Sequence, residues 1–196
     1  MTARFAAAAV LALASGCSAL PPPAPADDWP VRRAALQALD WWTLDGRIAV
    51  AVGDDGFSGG LDWSQAGERA EIAFSGPLGG GAFDVEVEGD RLTLRAGGET
   101  LSGDDARTYI AERFGREGSL PIREMRYWLV GVPAPGAPHK ETLSGERRLA
   151  SLAQSGWQVR YDRYQAAGLH ALPARIEMTT QGVRLRVAIS HWSLPP

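Results

Sequence analysis

The chain has 196 residues, enough for one domain with a sizeable core, and its formal net charge is -3. This acidic balance, with arginine and glutamate scattered along the chain, argues against a nucleic-acid partner, because phosphate-binding surfaces are basic. Because there is only one cysteine, a disulfide within the chain is excluded.

The first sixteen residues are typical of a secretory signal peptide. Arg4 precedes an apolar run from Phe5 to Ala14, and two small residues follow. The apolar run is too short to span a bilayer as a stable helix. We therefore interpret residues 1–16 as a signal peptide that is removed after export.

Cys17, the lone cysteine, comes directly after this segment and is free, joined to another chain, or modified. Residues 14–17 read Ala-Ser-Gly-Cys and resemble the lipobox of bacterial lipoproteins, in which the cysteine is acylated. In such proteins a residue other than aspartate at the next position, here Ser18, favours the outer membrane. The alternative is an unmodified cysteine beside an ordinary cleavage site. A multi-acyl anchor would hold the chain essentially permanently.

Residues 17–30 are predicted to be the lipidated cysteine and an extended tether, because prolines dominate the sequence after Cys17. A short helix is predicted over Val31–Leu39, where Leu36 and Leu39 are three residues apart. Residues 31–196 then form a single domain.

From Trp42 onward, apolar and polar residues alternate, which predicts strands with one buried and one exposed face. Short breaks rich in glycine and aspartate, such as residues 87–90 and 96–98, imply antiparallel hairpins. The apolar residues of this first series are Trp42, Leu44, Ile48, Val50, Val52, Phe57, Leu61, Trp63, Ile72, Phe74, Phe83, Val85, Val87, Leu92 and Leu94.

Two amphipathic helices are predicted after these strands. The first follows the N-cap signal of residues 102–105 and ends at Gly115. The second begins at Pro121, and residues 132–140 are predicted to be a proline-rich loop. The apolar stripes are Ala106, Tyr109, Ile110 and Phe114 on the first helix, and Ile122, Met125, Trp128 and Leu129 on the second.

Alternation resumes near Leu149 and ends in a last predicted strand over Val183–His191. About nine to eleven half-buried strands predict a mainly β fold, a strongly curved antiparallel sheet or barrel. The apolar stripes of the two helices must also be buried, and the inside of the curve is the available place.

The sequence contains no recognisable catalytic constellation. Residues 56–60 read Gly-Phe-Ser-Gly-Gly and match the G-x-S-x-G pattern of serine hydrolases, with Ser58 as nucleophile. That elbow needs a helix after it, whereas residues 61–64 alternate as a strand. We therefore prefer a glycine-rich hairpin, and a serine hydrolase remains a lesser alternative.

Metal and phosphate sites are equally poorly supported. Residues 76–81 are rich in glycine but lack the Lys-Ser/Thr ending of a phosphate loop and lead into a strand. Asp84, Glu86 and Glu88 share a strand face with no histidine or cysteine at ligand spacing, so we expect them to be solvated. No cofactor and no metal site are predicted.

Seven tryptophans are a large number for a domain of this size. Most of them fall at buried-face positions of the predicted strands and helices. They form either a solid core or a core that also lines an apolar cavity, which curved sheets capped by helices often leave.

An ordered set of segments resembles the LolB-type outer-membrane lipoprotein receptors of Gram-negative bacteria. No single segment is decisive, but together they cover nearly the whole mature chain. The segments are Cys17 with its lipobox, residues 42–50, residues 61–63, the Gly-Pro-Leu-Gly of residues 76–79, residues 127–133, residues 154–159 and residues 189–192.

The resemblance implies an incomplete antiparallel barrel whose open mouth is plugged by helices. It also implies a monomeric receptor that accepts acylated lipoproteins from the soluble carrier LolA and inserts them into the inner leaflet of the outer membrane, without nucleotide. Acyl chains would occupy an apolar cavity. We expect the cavity or its lid to contain Trp42, Leu44, Ile48, Val50, Trp63, Phe74, Phe83, Val85, Met125, Trp128 and Leu129.

Leu78 is an isolated leucine in the turn sequence of residues 75–81. The resemblance implies that it is an exposed tip that contacts the membrane during delivery; alternatively it folds back onto the sheet. Two other functions remain open. One is a lipid-anchored structural or envelope-assembly protein with a solid core, and the other is a soluble carrier similar to LolA, which would lack a lipobox.

Overall fold

The computed structural model describes residues 28–77, 81–114 and 120–195. The predicted signal peptide, Cys17, nearly all of the tether and Leu78 lie outside these residues. Within the described ranges, no helix has the length and apolar character needed to cross a membrane.

The described residues form three helices and eleven strands. The helices are α1 (Trp29–Gln37), α2 (Gly103–Phe114) and α3 (Ile122–Leu129). The strands are β1 (Trp41–Val52), β2 (Asp55–Ala66), β3 (Arg69–Ser75), β4 (Phe83–Glu88), β5 (Arg91–Ala96), β6 (Glu99–Ser102), β7 (His139–Leu143), β8 (Leu149–Gln154), β9 (Trp157–Ala167), β10 (His170–Thr180) and β11 (Val183–Ser193).

All eleven strands belong to one antiparallel sheet with the order β6-β5-β4-β3-β2-β1-β11-β10-β9-β8-β7. Strands that follow one another in the chain pair with each other, except that β6 and β7 do not. The first and last strands also pair with each other. In that central pairing Ile48 lies opposite Val187, so the two halves share one buried face. Strands β6 and β7 are the unpaired edges, and the sheet is therefore not closed. This confirms the predicted mainly β, open antiparallel fold.

The alternation of the sequence explains why the strands form where they do. Along β1, Trp42, Leu44, Ile48 and Val50 are buried, while the residues between them are exposed or half-buried. The same alternation continues along β2, β4, β9 and β11. One face of the sheet thus carries the core, against which α2 and α3 pack.

Several predicted boundaries were wrong. Strand β7 begins at His139, inside the segment predicted to be a loop. Strand β6 follows the hairpin predicted at residues 96–98, but no residues were assigned to it. Both are short edge strands whose residues are mostly exposed, so they lack the alternation that marks a strand with a buried face. Helix α1 begins two residues earlier than predicted because Trp29 is buried in the core and Pro30 occupies the first turn.

The glycine-rich segment of residues 56–60 belongs to the hairpin of β1 and β2, which agrees with the predicted glycine-rich hairpin. It lies inside the continuous strand β2, which pairs with β1 along its whole length. The turn lies before it, at residues 53 and 54. The glycines instead make room for neighbouring strands and side chains, as the geometry of the site shows.

Candidate functional site

An apolar cavity of about 50 Å³ lies between the buried face of the sheet and helices α2 and α3. It has room for one or two methylene-sized groups, since a water-sized group occupies about 30 Å³. Every described residue around it is apolar. They are Ile48, Phe57, Leu61, Trp63, Ile72, Phe74, Phe83, Val85, Ile110, Leu120, Ile122, Met125, Leu129, Leu185 and Val187.

Three phenylalanines from β2, β3 and β4 form one wall of the cavity. The ring of Phe74 lies 5.3 Å from that of Phe57 in an edge-to-face arrangement and stacks on Phe83 at 4.9 Å. Gly59 allows this packing, because a Cβ at this position would lie 2.7 Å from Phe74 Cζ and 2.2 Å from the Ser75 carbonyl oxygen. The glycine thus contributes the space that the Phe74 ring occupies.

Helices α2 and α3 cover the cavity through apolar contacts. Ile110 comes from α2, while Ile122, Met125 and Leu129 come from α3. Of these, Ile122 at the start of α3 is only half-buried. Among the described residues that line the cavity, the two helices contribute only apolar side chains.

On their outer side, the two helices are fastened to the turn between β4 and β5. Arg107 of α2 donates to the Asp90 carbonyl oxygen at 3.1 Å. Arg123 of α3 donates to the Gly89 carbonyl oxygen and to the Asp90 carboxylate. These contacts are exposed, and exposed ion pairs contribute little stability.

The C-terminal end of α3 is held differently. The Trp128 indole Nε1 donates to Gln154 Oε1 at 2.8 Å, and both side chains are buried. Gln154 also accepts from the Ala134 amide at 2.9 Å and donates to the Ala134 carbonyl oxygen at 2.8 Å. The Tyr161 hydroxyl donates to the Trp128 carbonyl oxygen at 2.9 Å. Burial raises the pKa of Tyr161 well above its ordinary value, so this hydroxyl remains a donor.

The predicted cavity residues divide into two groups. Those that line the cavity are Ile48, Trp63, Phe74, Phe83, Val85, Met125 and Leu129. The other four lie in the core away from it: Leu44 and Val50 are buried in β1, Trp128 bonds to Gln154, and the ring of Trp42 lies 6.0 Å from Trp63 and 5.3 Å from Trp192.

Eight further lining residues were not named as cavity residues in the prediction. Seven of them were assigned to apolar faces by their spacing: Phe57, Leu61, Ile72, Ile110, Ile122, Leu185 and Val187. Leu185 and Val187 follow the same alternation in β11, and Leu120 directly precedes the predicted second helix. The periodicity identifies these residues as buried, but nothing in it selects the strand segment that faces the helices.

The positions considered for catalysis and metal binding lie outside the cavity. Ser58 is exposed in the interior of β2, and a strand rather than a helix follows it. Glu86 forms ion pairs with Arg69 at 2.9 Å and Arg95 at 3.5 Å on the outer face. Among residues 28–77, 81–114 and 120–195, no group of three histidine, cysteine, aspartate or glutamate side chains could hold a metal ion.

Comparison with known proteins places the sequence beside one family. The family profile described as "Outer membrane lipoprotein LolB" matches residues 40–192. The outer-membrane lipoprotein LolB of Nitrosococcus oceani is 39% identical over 190 residues, covering 94% of each chain. The protein of the same name from Pseudomonas aeruginosa is 32% identical over 195 residues, covering 96% of this chain and 94% of its own.

Solved structures support the fold. A DUF1329 family protein from Desulfovibrio piger superimposes with a TM-score of 0.57 at 9% identity, covering 85% of this chain and 90% of its own. A LolA superfamily protein from Nitrosomonas europaea superimposes with a TM-score of 0.51 at 11% identity, covering 87% and 94%. At such low identities the likeness concerns the fold alone.

Proposed function

Because the chain belongs to the LolB family of outer-membrane lipoproteins, we propose that it accepts lipoproteins from the periplasmic carrier LolA and inserts them into the outer membrane. It is a receptor at the outer membrane and not an enzyme. In this proposal no nucleotide is hydrolysed, because cargo moves toward the site that binds it better. Direction then comes from differences in affinity between carrier, receptor and bilayer.

The observation that carries the proposal is the wholly apolar cavity beneath two helices. An acyl chain of about 16 carbons exposes about 15 methylene groups, and at about 0.8 kcal/mol each its exposure costs about 12 kcal/mol. A cavity lined only by aliphatic and aromatic side chains removes most of this cost. Because it makes no specific polar contact, it suits cargo proteins that share nothing except their lipid.

The cavity must enlarge to take such a chain. At about 30 Å³ per methylene-sized group, a 16-carbon chain needs about 500 Å³, against the 50 Å³ present. In the part of the chain that the structure describes, α2 and α3 touch the cavity through apolar side chains. An acyl chain can replace these with equivalent contacts. We therefore propose that the entering chain displaces these helices from the sheet.

The small volume also favours a second candidate function. A lipid-anchored structural protein with a solid core would have no larger space beneath its helices. Tryptophan fluorescence distinguishes the two functions, because Trp63 lines the cavity. Addition of a fatty acid should change the emission of the parent and of the Trp157→Phe control, but not that of Trp63→Phe. An unchanged parent at saturating fatty acid would favour the solid core.

The direct test of the receptor function is transfer of cargo. The lipidated chain is mixed with LolA carrying a fluorescently labelled lipoprotein, and the label is followed after the two proteins are separated. We expect the label to move to this chain without nucleotide. If it stays on the carrier, the proposed function is wrong.

The acylated Cys17 and the membrane-contacting Leu78 remain proposals, since both lie outside the described residues. The change Leu78→Glu should leave folding and cargo acceptance intact but impair delivery to vesicles. One inserted leucine contributes only about 1.5–3 kcal/mol, which biases delivery without anchoring the protein. Delivery equal to that of the parent would contradict a role for Leu78.

A further inference from the structure

Three large apolar side chains are exposed in the described part of the chain, and they lie near one end of the sheet. Val31 is 66% exposed, Trp41 is 63% exposed, and Leu169, in the turn before β10, is fully exposed. Strands β1 and β10 both pair antiparallel with β11, which lies between them, so they run in the same direction. Trp41 begins β1 and Leu169 directly precedes β10, so both residues lie at the same end of the sheet. Val31 and Leu169 line one open groove of about 660 Å³ between α1 and the β9–β10 hairpin.

Two arginines lie in the same groove. Arg32 donates from Nη1 to the Arg147 carbonyl oxygen at 3.0 Å, and Arg148 forms an ion pair with Glu146 at 2.7 Å. Burial, and then the nearby positive charge of Arg148, lower the pKa of Arg32 below its ordinary value. Guanidinium N–H groups donate paired hydrogen bonds to phosphate oxygens, so two arginines in one groove suit a phosphate group.

The start of the described chain places this groove near the tether. Asp28 lines the groove, and ten residues, 18–27, separate it from Cys17. Ten fully extended residues span at most about 36 Å. If Cys17 is acylated, as the proposed function requires, the groove cannot move far from the bilayer.

We propose that this face rests on the bilayer and binds the phosphate groups of anionic phospholipids. We call it the tether-side surface and define it by Val31, Arg32, Trp41, Arg148 and Leu169. Tryptophan is enriched at membrane interfaces, and arginine near a surface of anionic lipids is attracted to it. The inference rests on the lipid anchor of the proposed function.

The tether-side surface is distinct from the proposed delivery tip. Strand β3 runs parallel to β1, so it ends, at Ser75, toward the end of the sheet opposite to Trp41. Contact through the tether-side surface and contact through Leu78 are therefore two orientations of one tethered domain. The tether-side surface holds the domain on the bilayer between deliveries.

A unique thiol makes this orientation measurable. The only natural cysteine carries the anchor in the lipidated chain, so Leu169→Cys supplies one free thiol for an environment-sensitive fluorophore. Asp54→Cys, in the β1–β2 turn at the other end of β1, is the matched control. The full lipidated chain is incorporated into vesicles of phosphatidylcholine and phosphatidylglycerol that contain spin-labelled lipid. We expect quenching several-fold stronger at position 169 than at position 54.

A second pair of variants tests the charge. Arg32→Gln with Arg148→Gln should reduce quenching of the position 169 probe severalfold, toward the level in phosphatidylcholine alone, with folding checked by circular dichroism. Arg160→Gln with Arg186→Gln removes the same charge from the outer face of β9 and β11 and should have no effect.

The possible outcomes separate the two proposals. Two outcomes in a chain that floats with vesicles would overturn the proposal of the tether-side surface alone. One is equal quenching at positions 169 and 54, and the other is no quenching at position 169. A chain that fails to float with vesicles would overturn the anchor, and the surface with it.

Discussion

Two buried glutamines make similar hydrogen bonds over very different distances along the chain. Gln65 accepts from the Trp63 indole at 3.0 Å and donates to the carbonyl oxygens of Gly67 and Arg69 at the β2–β3 turn. Gln154 accepts from the Trp128 indole, 26 residues away, and bonds to both backbone groups of Ala134. The first glutamine closes one hairpin, whereas the second joins a helix, a loop and a strand.

The difference shows which part of the cover over the cavity is fixed. Gln154 holds the C-terminal end of α3 to β8, and Tyr161 holds the same end to β9. The N-terminal end of α3 has apolar contacts on its inner side and the exposed Arg123 on its outer side. The helix is therefore suited to pivot about Trp128 when its first turn is displaced.

The largest effect is expected from Gln154→Leu. This change leaves the Trp128 indole and the Ala134 amide without acceptors in the core, and each unpaired buried group costs about 1–3 kcal/mol. We expect the free energy of unfolding, measured in urea, to fall by about 3–5 kcal/mol. Gln65→Leu is the matched control and should cost only about 1–3 kcal/mol, because it leaves one buried donor, the Trp63 indole, unpaired, while its carbonyl partners at a turn can reach water. Equal losses in the two variants would contradict the comparison.

The aromatic wall of the cavity is held by packing, so a change that disturbs its packing should lower the stability of the protein. Gly59→Ala places a Cβ against the Phe74 ring and the Ser75 carbonyl oxygen, and such overpacking costs about 1–3 kcal/mol. Urea unfolding measures the loss, and the shift of Phe74 should also weaken fatty-acid binding. Gly145→Ala is the control, because no atom lies within 4 Å of its added Cβ. If Gly59→Ala is as stable as the control, Phe74 can move away from the added Cβ without loss of stability, and the prediction is wrong.

A smaller, pH-dependent effect is expected at the fixed end of α3. Burial keeps Tyr161 protonated in the folded state above its ordinary pKa of 10.0, whereas the unfolded chain ionises there. The stability that the Tyr161 hydroxyl contributes is therefore complete below pH 10 and is lost as the pH rises toward the pKa of the folded state. Tyr161→Phe should lower the free energy of unfolding by about 1 kcal/mol at neutral pH. As the pH rises above 10, the free energy of unfolding should fall less in this variant than in the parent. Parallel curves of unfolding free energy against pH for the two proteins would contradict this assignment.

Much of the fold follows from alternation alone. Ile48, Trp63 and Val85 were assigned to a buried face by parity, and the structure places them there. Parity does not distinguish them from Trp42 and Leu44, which are on the same face but away from the cavity. The position of α3 decides this, and the buried bond to Gln154 that fixes α3 connects residues far apart in the sequence.

Polar residues in the core are the feature that the sequence pattern reveals least. A glutamine inside an alternating strand has the same signature as a surface residue, so neither Gln65 nor Gln154 was expected to be buried. The edge strand β7 was missed for a related reason, because its residues have no buried face. Both features depend on partners that periodicity does not identify.

The smallest effect on stability, and the sharpest test of the pivot, is expected from Arg123→Gln. Its contacts with the β4–β5 turn are exposed, so the free energy of unfolding should change by less than about 0.5 kcal/mol. Because these contacts hold the movable end of α3, their loss should speed fatty-acid uptake, followed by Trp63 fluorescence in stopped flow. Arg91→Gln removes the same charge beside the same turn without touching the helix and should leave uptake unchanged. If both variants take up fatty acid at the parent rate, the first turn of α3 is not the part that moves.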